Sequence, residues 1–437
     1  MNHPKVVYIT AGAGGMYCGS CIRDNSLVAG LTEQKWDVYL LPLYTPIRVD
    51  GADHSIDQLF FGGINVYLQQ KVPFFRWLPA FLDRWLDSPT LVQRVASRAL
   101  SVSASELGGL TLSMVKGEHG YQRKEVIRMV EWVRDFIKPE LVCLTNLLVG
   151  GSIPALKREL GVPVMVTLQG DDLFLGELQE PWRTQVLGEM KRIAAEVDGF
   201  ITFSAFYRDE MAALFEIPVE KFHLVPLGVV VEEFDKVLAA RKKRPTGETI
   251  GYFARLSPEK GFDVLVDAFI ELSERHPGAR LRVGGWLSPK DEAFYAAQLA
   301  KLEAAGLSGR FARIEAPDAA GKHRFFEEVD LFCVPARYRE PKGLYMLEAM
   351  ACGLPVVGPN EGAFPEMIQG SGGGLLVIPG DFKDLAEKLG ELLDDPTGAV
   401  SMGDSARRWV ETEGSRRRMA AATGEVFDRV RAAKGGM

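Results

Sequence analysis

Two carboxylates, Glu340 and Glu348, are separated by seven residues that include Gly343, Leu344 and Tyr345. Leu344, Leu347, Met350 and Ala351 recur at helical spacing, and Gly353 followed by Pro355 ends the run. Glu340 therefore precedes a helix, Gly343 marks its start, and Glu348 stands about one turn inside it. A helix start offers backbone N–H groups and the positive end of the helix dipole, so an anion such as a diphosphate fits there. Arg255 and Lys260, in Arg255-Leu-Ser-Pro-Glu-Lys260-Gly261, add two cations in a second loop. Such cations can hold an anion or simply lie on a surface loop. Other readings stay open for each residue alone. Paired carboxylates also suit a glycosidase acid and nucleophile, and any of the four fits an ordinary surface charge.

Further candidates lie in the first half of the chain. The glycine-rich turn Ala11-Gly-Ala-Gly14-Gly15-Met-Tyr-Cys18-Gly-Ser-Cys21 feeds a helix through about Gln34. Such a turn can set backbone N–H groups against phosphate or sugar oxygens, or can simply allow tight packing. It lacks the dinucleotide pattern with its acidic partner. Cys18 and Cys21 have redox-motif spacing at a helix start, where thiol pKa values fall. Two small residues in a first helical turn explain them better, and no second Cys or His pair accompanies them for zinc. Gln169, Asp171 and Asp172 follow the run Pro163-Val-Met-Val-Thr-Leu168. The two aspartates have no third ligand beside them, so acceptor binding or helix capping is expected rather than a metal.

The segment from Glu340 to Gly358 resembles the signature of retaining GT-B glycosyltransferases of family 4. Its E-x7-E spacing, the Gly-Leu opening and Glu348-Ala-Met-Ala-Cys-Gly-Leu-Pro-Val-Val all match. Arg255 to Gly261 is similar to the family's G-R-L-x-x-x-K-G, and Gly14 and Gly15 match a Gly-Gly pair after the first strand. The resemblance implies transfer of a sugar from a nucleotide-sugar donor to a carbohydrate or lipid-linked acceptor, with retention of anomeric configuration. It implies that Glu340 holds sugar hydroxyls and Glu348 the ribose, with Arg255, Lys260, Gly343, Leu344 and Tyr345 around the diphosphate. Arg313 and Ile314 would lie by the base, Gly14 and Gly15 by the donor phosphates, and Gln169, Asp171 and Asp172 on the acceptor or sugar side. No metal and no cofactor beyond the donor is implied. Lys342 replaces a usual Phe, Gln169 stands where His is common, and Leu227 and Val230 replace an Asn and an Asp. A GT-B phosphorylase, a GT-B isomerase and a non-catalytic nucleotide-sugar-binding protein are the alternatives.

These residues must be held by alternating strands and helices. Apolar runs at Lys5–Thr10, Trp36–Pro42, Ile64–Leu68, Leu141–Thr145, Pro163–Leu168, Gly199–Phe203 and Phe222–Pro226 read as strands. Thr249–Ala254, Arg280–Gly285, Asp330–Pro335 and Pro355–Gly358 continue the series, and helices are expected over 121–137 and 405–433. Strands alternating with helices give parallel sheets covered on both faces, with ligands at the carboxyl ends. The expected α/β architecture is GT-B: two Rossmann-like domains with parallel sheets facing a central cleft. The expected division is 1–234 for the acceptor, a linker at 235–248, 249–413 for the nucleotide sugar, and 414–437 returning to the first domain.

A chain of 437 residues favours two or three domains. Its net charge of −7 argues against nucleic acid as the main partner. Five scattered cysteines suit reduced thiols, and the first strand begins without a signal peptide, so a cytoplasmic location is expected. The stretch 71–100 is different. It carries Phe81, Leu82, Trp85, Val92 and Val95 on one side, with five basic side chains against two acidic ones. Such a stripe can pack on its own domain, wall an acceptor pocket or touch a membrane surface peripherally.

Overall fold

A computed structural model describes residues 4–12, 19–47, 49, 52–61, 66, 68–70, 74, 104–243, 247–314 and 318–435. Gly14, Gly15 and Cys18 lie outside the described residues, as does the 71–100 stretch except Phe74, which is exposed. The chain divides into two compact units, Met1–Val225 with Met419–Met437, and Pro226–Arg418.

Unit 1 is built on β1 (Lys5–Thr10), followed by α1 (Gly19–Glu33) and β2 (Asp37–Pro42). Next come α2 (Ala104–Val115), α3 (Arg123–Trp132) and β3 (Leu141–Leu144). α4 (Ile153–Leu160), β4 (Val164–Thr167), α5 (Asp171–Glu177) and α6 (Trp182–Glu196) follow. β5 (Gly199–Thr202), α7 (Ala205–Phe215) and β6 (Phe222–Leu224) complete the alternation. The strands form one parallel sheet in the order β2-β1-β3-β4-β5-β6. Every residue of β3, β4 and β5 is buried, as continuous apolar runs covered on both faces require. Val7, Ile9, Val142, Val166 and Phe200 face one core, while Val6, Tyr8, Cys143, Met165 and Ile201 face another that also takes Met419, Ala420 and Phe427.

One expectation fails here: Val66 and Leu68, the described residues of Ile64–Leu68, are helical rather than strand. The helix expected over 121–137 runs from Arg123, as α3 to Trp132 and then a π-helical turn over Val133–Ile137 that Lys138 ends in the left-handed region, at φ 56°.

Unit 2 opens with α8 (Asp235–Lys243), β7 (Thr249–Phe253) and α9 (Phe262–Arg275). β8 (Arg280–Gly284), α10 (Glu292–Ala304), β9 (Phe311–Arg313) and α11 (Ala319–Glu328) follow. β10 (Leu331–Cys333), α12 (Leu344–Ala351), β11 (Val356–Pro359), α13 (Phe364–Ser371) and β12 (Gly374–Val377) come next. α14 (Phe382–Asp394) and α15 (Pro396–Thr412) lead to α16 (Arg416–Gly435), most of which belongs to unit 1. The sheet is again parallel, in the order β12-β11-β10-β7-β8-β9.

The stretch expected as a linker, 235–248, is largely structured instead. α8 occupies most of its length and belongs to unit 2, because Val231, Phe234 and Val237 are buried there. Phe234 meets Phe326 with ring centroids 6.3 Å apart, and Asp235 pairs with Arg407 at 2.5 Å. The expected 405–433 helix is also two. The backbone of Gly414 accepts from Val229 N–H, and Arg416 N–H donates back to Val229, which breaks the helix between α15 and α16.

In both sheets the strand order reverses once beside the first strand, between β1 and β3 in unit 1 and between β7 and β10 in unit 2. Ligands of open parallel sheets bind outside the carboxyl ends at such reversals.

Candidate functional site

The loops after β7 and β10 meet at the reversal of the unit 2 sheet. The β7 loop begins at Arg255 and ends at Gly261, with Lys260 at the close of a single 3-10 turn. Tyr252, buried on β7, donates its hydroxyl to the Arg255 carbonyl at 2.9 Å and holds the loop's start. Gly261 is obligatory. Its φ is +67°, and a Cβ there would stand 1.7 Å from the Pro335 carbonyl oxygen of the β10 loop. That close approach brings Lys260 to Glu340.

Lys260 Nζ lies 2.7 Å from Glu340 Oε2, with both side chains largely buried. The same oxygen accepts from the Tyr345 hydroxyl at 2.8 Å and from the Tyr338 hydroxyl. The ammonium also sits over both rings, 4.6 Å from the Tyr338 centroid and 4.7 Å from that of Tyr345, a geometry favoured by the ring quadrupoles. Burial pushes the Glu340 carboxyl up, but the Lys260 charge and three hydrogen bonds outweigh it and hold the carboxyl at about 2. The Tyr345 phenol moves the opposite way, raised by burial and by the Glu340 charge.

α12 starts behind this cluster. Gly343 takes φ +68° as its N-cap and supplies no capping side chain. The first bonds along the helix run from Met346 and Leu347 N–H to the Gly343 carbonyl, so the Leu344 and Tyr345 N–H groups precede them. Glu348, inside α12, accepts from Lys322 Nζ at 2.7 Å. Lys322 comes from α11, whose start is capped by Asp318 accepting from Gly321 N–H at 2.7 Å. Arg255 pairs within its own loop with Glu259 at 3.5 Å, and both are more than a third exposed. The pairs Lys260–Glu340, Arg255–Glu259 and Lys322–Glu348 thus draw on the β7 loop, the β10 loop, α11 and α12.

Arg313 ends β9, and Ile314 follows it, donating its N–H to the Val283 carbonyl at 2.8 Å. β8 stands between β9 and β7, and the Arg313 guanidinium rests 5.5 Å from the Tyr295 ring. The structure does not join it to the Glu340 cluster.

In unit 1, Gln169 follows β4 and is buried. Its Nε2 donates to the Thr145 carbonyl at 3.0 Å and to Thr145 Oγ1 at 2.8 Å. Asp171 and Asp172 begin α5 but do not act as a pair. Asp171 accepts from the N–H groups of Leu147 at 2.7 Å and Gln169 at 3.3 Å, while Asp172 accepts from the Tyr207 hydroxyl at 2.6 Å. Burial pushes the Asp171 carboxyl up to about 7 against those N–H bonds, with the Asp172 charge adding to the rise. No group of three or more His, Cys, Asp or Glu that could hold a metal occurs among the described residues. Cys21, Cys143, Cys333 and Cys352 are buried.

Tyr338 and Lys322 escaped the sequence reading. Tyr338 lies two residues before Glu340, where strand-like alternation would aim both the same way, so a signal existed. Lys322 is distant in sequence from Glu348 and had none. Arg23 and Asp24, an ion pair at 2.8 Å with no side-chain exposure, were equally hidden inside an ordinary helix.

Residues 233–409 match the family described as Glycosyl transferases group 1, and residues 25–228 match the Glycosyl transferase 4-like domain. The chain is 28% identical over 293 residues to a glycogen synthase of Mycobacterium tuberculosis, covering 66% of this chain and 69% of that protein. It is 32% identical over 239 residues to a GDP-mannose-dependent phosphatidylinositol monomannoside mannosyltransferase of the same species, covering 51% and 60%. Anabaena HepE, solved with UDP, superposes at a TM-score of 0.69 and 15% identity over 97% of this chain and all of that one. Two parallel six-stranded sheets, a matching family description in each half and full-length structural likeness agree: the chain belongs to the group 1 glycosyltransferases and has the GT-B fold.

Proposed function

We propose that the protein moves a sugar from a nucleotide-sugar donor to a carbohydrate or lipid-linked acceptor, with retention at the anomeric carbon. The observation that carries this reading is the Lys260–Glu340 pair set against the start of α12, with Glu348 one turn further on. The diphosphate is assigned to Arg255, Lys260 and the Leu344 and Tyr345 N–H groups. Arg and Lys side chains with a helix start can take up the charge of a leaving diphosphate without a metal. Glu340, ionised across the physiological range, is assigned to sugar hydroxyls, and its Tyr338 and Tyr345 partners fix its plane. Glu348 is assigned to the ribose, since a carboxylate can accept from two neighbouring hydroxyls. Gly14 and Gly15 are assigned to the donor phosphates, and Arg313 and Ile314 to the base.

Unit 1 is assigned the acceptor through Gln169, Asp171 and Asp172. The relatives support a nucleotide-sugar donor, one named for GDP-mannose and one solved with UDP. The leaving diphosphate can take the acceptor's proton on the face it departs from, so no separate base is required. Incubation with a panel of UDP- and GDP-sugars tests the reading. Release of the matching diphosphate, with a product of unchanged anomeric configuration by NMR, supports it. Release of sugar 1-phosphate from a glucan and phosphate, with no nucleotide sugar added, would identify a phosphorylase instead.

A further inference from the structure

Glu348 does not stand alone on α12: a lysine from another helix holds one of its two carboxylate oxygens. Lys322 Nζ lies 2.7 Å from Glu348 Oε1, and the two side chains keep only 13% and 11% of their exposure. Among the described residues Oε2 accepts no hydrogen bond, while Glu348 as a whole retains 9% exposure. One oxygen is thus committed and the other is open. The Lys322 charge also reaches Glu233, in the 3-10 turn Val231–Phe234, whose carboxyl burial pushes up and Lys322 draws back down.

Local stability does not explain a lysine at position 322. Its N–H donates to the carbonyl of the Asp318 cap at 3.1 Å, which places it in the first turn of α11, where the helix dipole favours anions over cations. Beside it His323 meets Phe234 with ring centroids 5.4 Å apart, and Phe325 and Phe326 are fully buried. Burial among such groups penalises an ammonium. A buried ion pair gives little stability over apolar packing of similar volume. What the pair does fix is geometry. With Oε1 tied to α11, the carboxylate is kept from turning, and Oε2 is held at one place beside α12.

We propose that Lys322 is a positioning residue that holds the Glu348 carboxylate with Oε2 turned to the ribose of the donor nucleotide. The inference rests on the assignment of Glu348 to the ribose made above and adds the residue that aims it. A single carboxylate oxygen has lone pairs enough for the two neighbouring hydroxyls of a ribose, and it can only accept. The contact therefore selects for those hydroxyls and gives nothing to a sugar ring that lacks them. Loss of Lys322 frees the carboxylate to turn and leaves it buried without its cation. Its grip on the hydroxyls then falls, while the rest of the nucleotide is held as before.

The experiment compares wild type, Glu348→Gln, Lys322→Met, Glu233→Gln and the double variant Lys322→Met with Glu348→Gln in the full-length protein. Calorimetry gives the affinities for UDP and GDP and for their 2′,3′-dideoxy forms. The ratio of each pair is read within one protein, so partial unfolding of a variant cancels from it. Wild type should prefer the ribose form by about 10-fold or more, as expected for hydrogen bonds to a charged group. Lys322→Met should lose most of that preference while binding the dideoxy forms about as tightly as wild type. The double variant should bind no worse than Glu348→Gln alone. Glu233→Gln, which removes the other carboxylate that Lys322 acts on, should keep the preference. Equal weakening of ribose and dideoxy forms by Lys322→Met, an undiminished preference in that variant, a lost one in Glu233→Gln, or multiplying losses in the double variant would overturn the proposal. The ribose assignment stands in each of these cases so long as Glu348→Gln abolishes the preference. A wild type that binds neither nucleotide or shows no preference, or a Glu348→Gln protein that keeps it, would overturn the assignment as well.

Discussion

Glu340 and Glu348 share a chemistry but stand in different surroundings, and their substitutions should separate. On the proposed assignment of Glu348 to the ribose, Glu348→Gln should weaken a charged hydrogen bond, so free diphosphate and intact donor should both lose affinity, by roughly 10- to 150-fold. Glu340→Gln should act on turnover, because a sugar contact strengthened in the transition state works on the chemical step. It also releases Lys260 from its partner at 2.7 Å, so diphosphate affinity should hold or rise. Calorimetry with the diphosphate beside donor kinetics reads both. Equal weakening of the bare diphosphate by the two variants would show that the roles are misassigned. Asp171 gives a second test at this scale. Its folded pKa of about 7 lies above the unfolded value of about 3.9, so between those values the folded state binds more protons than the unfolded one. Its contribution to stability is therefore fully present below about pH 4 and lost as pH rises towards 7. Urea midpoints from pH 5 to 8 should fall more steeply in wild type than in Asp171→Asn. Parallel slopes would show that the carboxyl is ionised throughout.

The elements that place these residues depend on two glycines in unequal ways. Gly343→Ala meets the edge of the Phe364 side chain rather than backbone, so its cost beyond moving that ring is the left-handed backbone, about 1–2 kcal/mol. Gly261→Ala drives a Cβ into the fixed Pro335 carbonyl and should cost on the order of 4 kcal/mol or more. Thermal denaturation should rank them in that order, and the reverse order would refute the packing argument. The unit 2 site was legible in sequence because its carboxylates lie on one contiguous loop and helix, with Gly and Pro marking both ends. Lys322 was not, since a partner reaching across from another helix leaves no periodic trace, whereas Tyr338 carried only its two-residue offset from Glu340. The same reason hid Asp24, whose partner Thr145 is 121 residues away. Ile64–Leu68 misled because alternation over five residues is also compatible with a short helix, and only tertiary contacts decide. β12 went unread because Gly374-Leu-Leu-Val377 follows three residues of glycine and serine and is too short to signal alone. α8 was mistaken for linker because its Arg241-Lys-Lys end reads as solvated charge, yet Arg241 donates to the Cys352 carbonyl at 3.2 Å.

For the whole molecule, each sheet has one order reversal, and polar side chains gather at each: cations and carboxylates in unit 2, a buried Asp24, Thr145 and Gln169 network in unit 1. The charge of the leaving diphosphate is assigned to Arg255, Lys260 and a helix start, so turnover should survive excess EDTA. Loss of activity that magnesium or manganese restores would contradict that assignment. The most direct test of the central claim, that unit 2 binds the donor nucleotide at the β7 and β10 loops, is calorimetry with UDP and GDP on three proteins. These are the wild type, the double variant Arg255→Ala with Lys260→Ala, and Gln169→Ala. The wild type and Gln169→Ala should bind the same diphosphate with the same affinity, and the double variant should lose about 100-fold or more. Wild-type affinity in a folded double variant would contradict the claim.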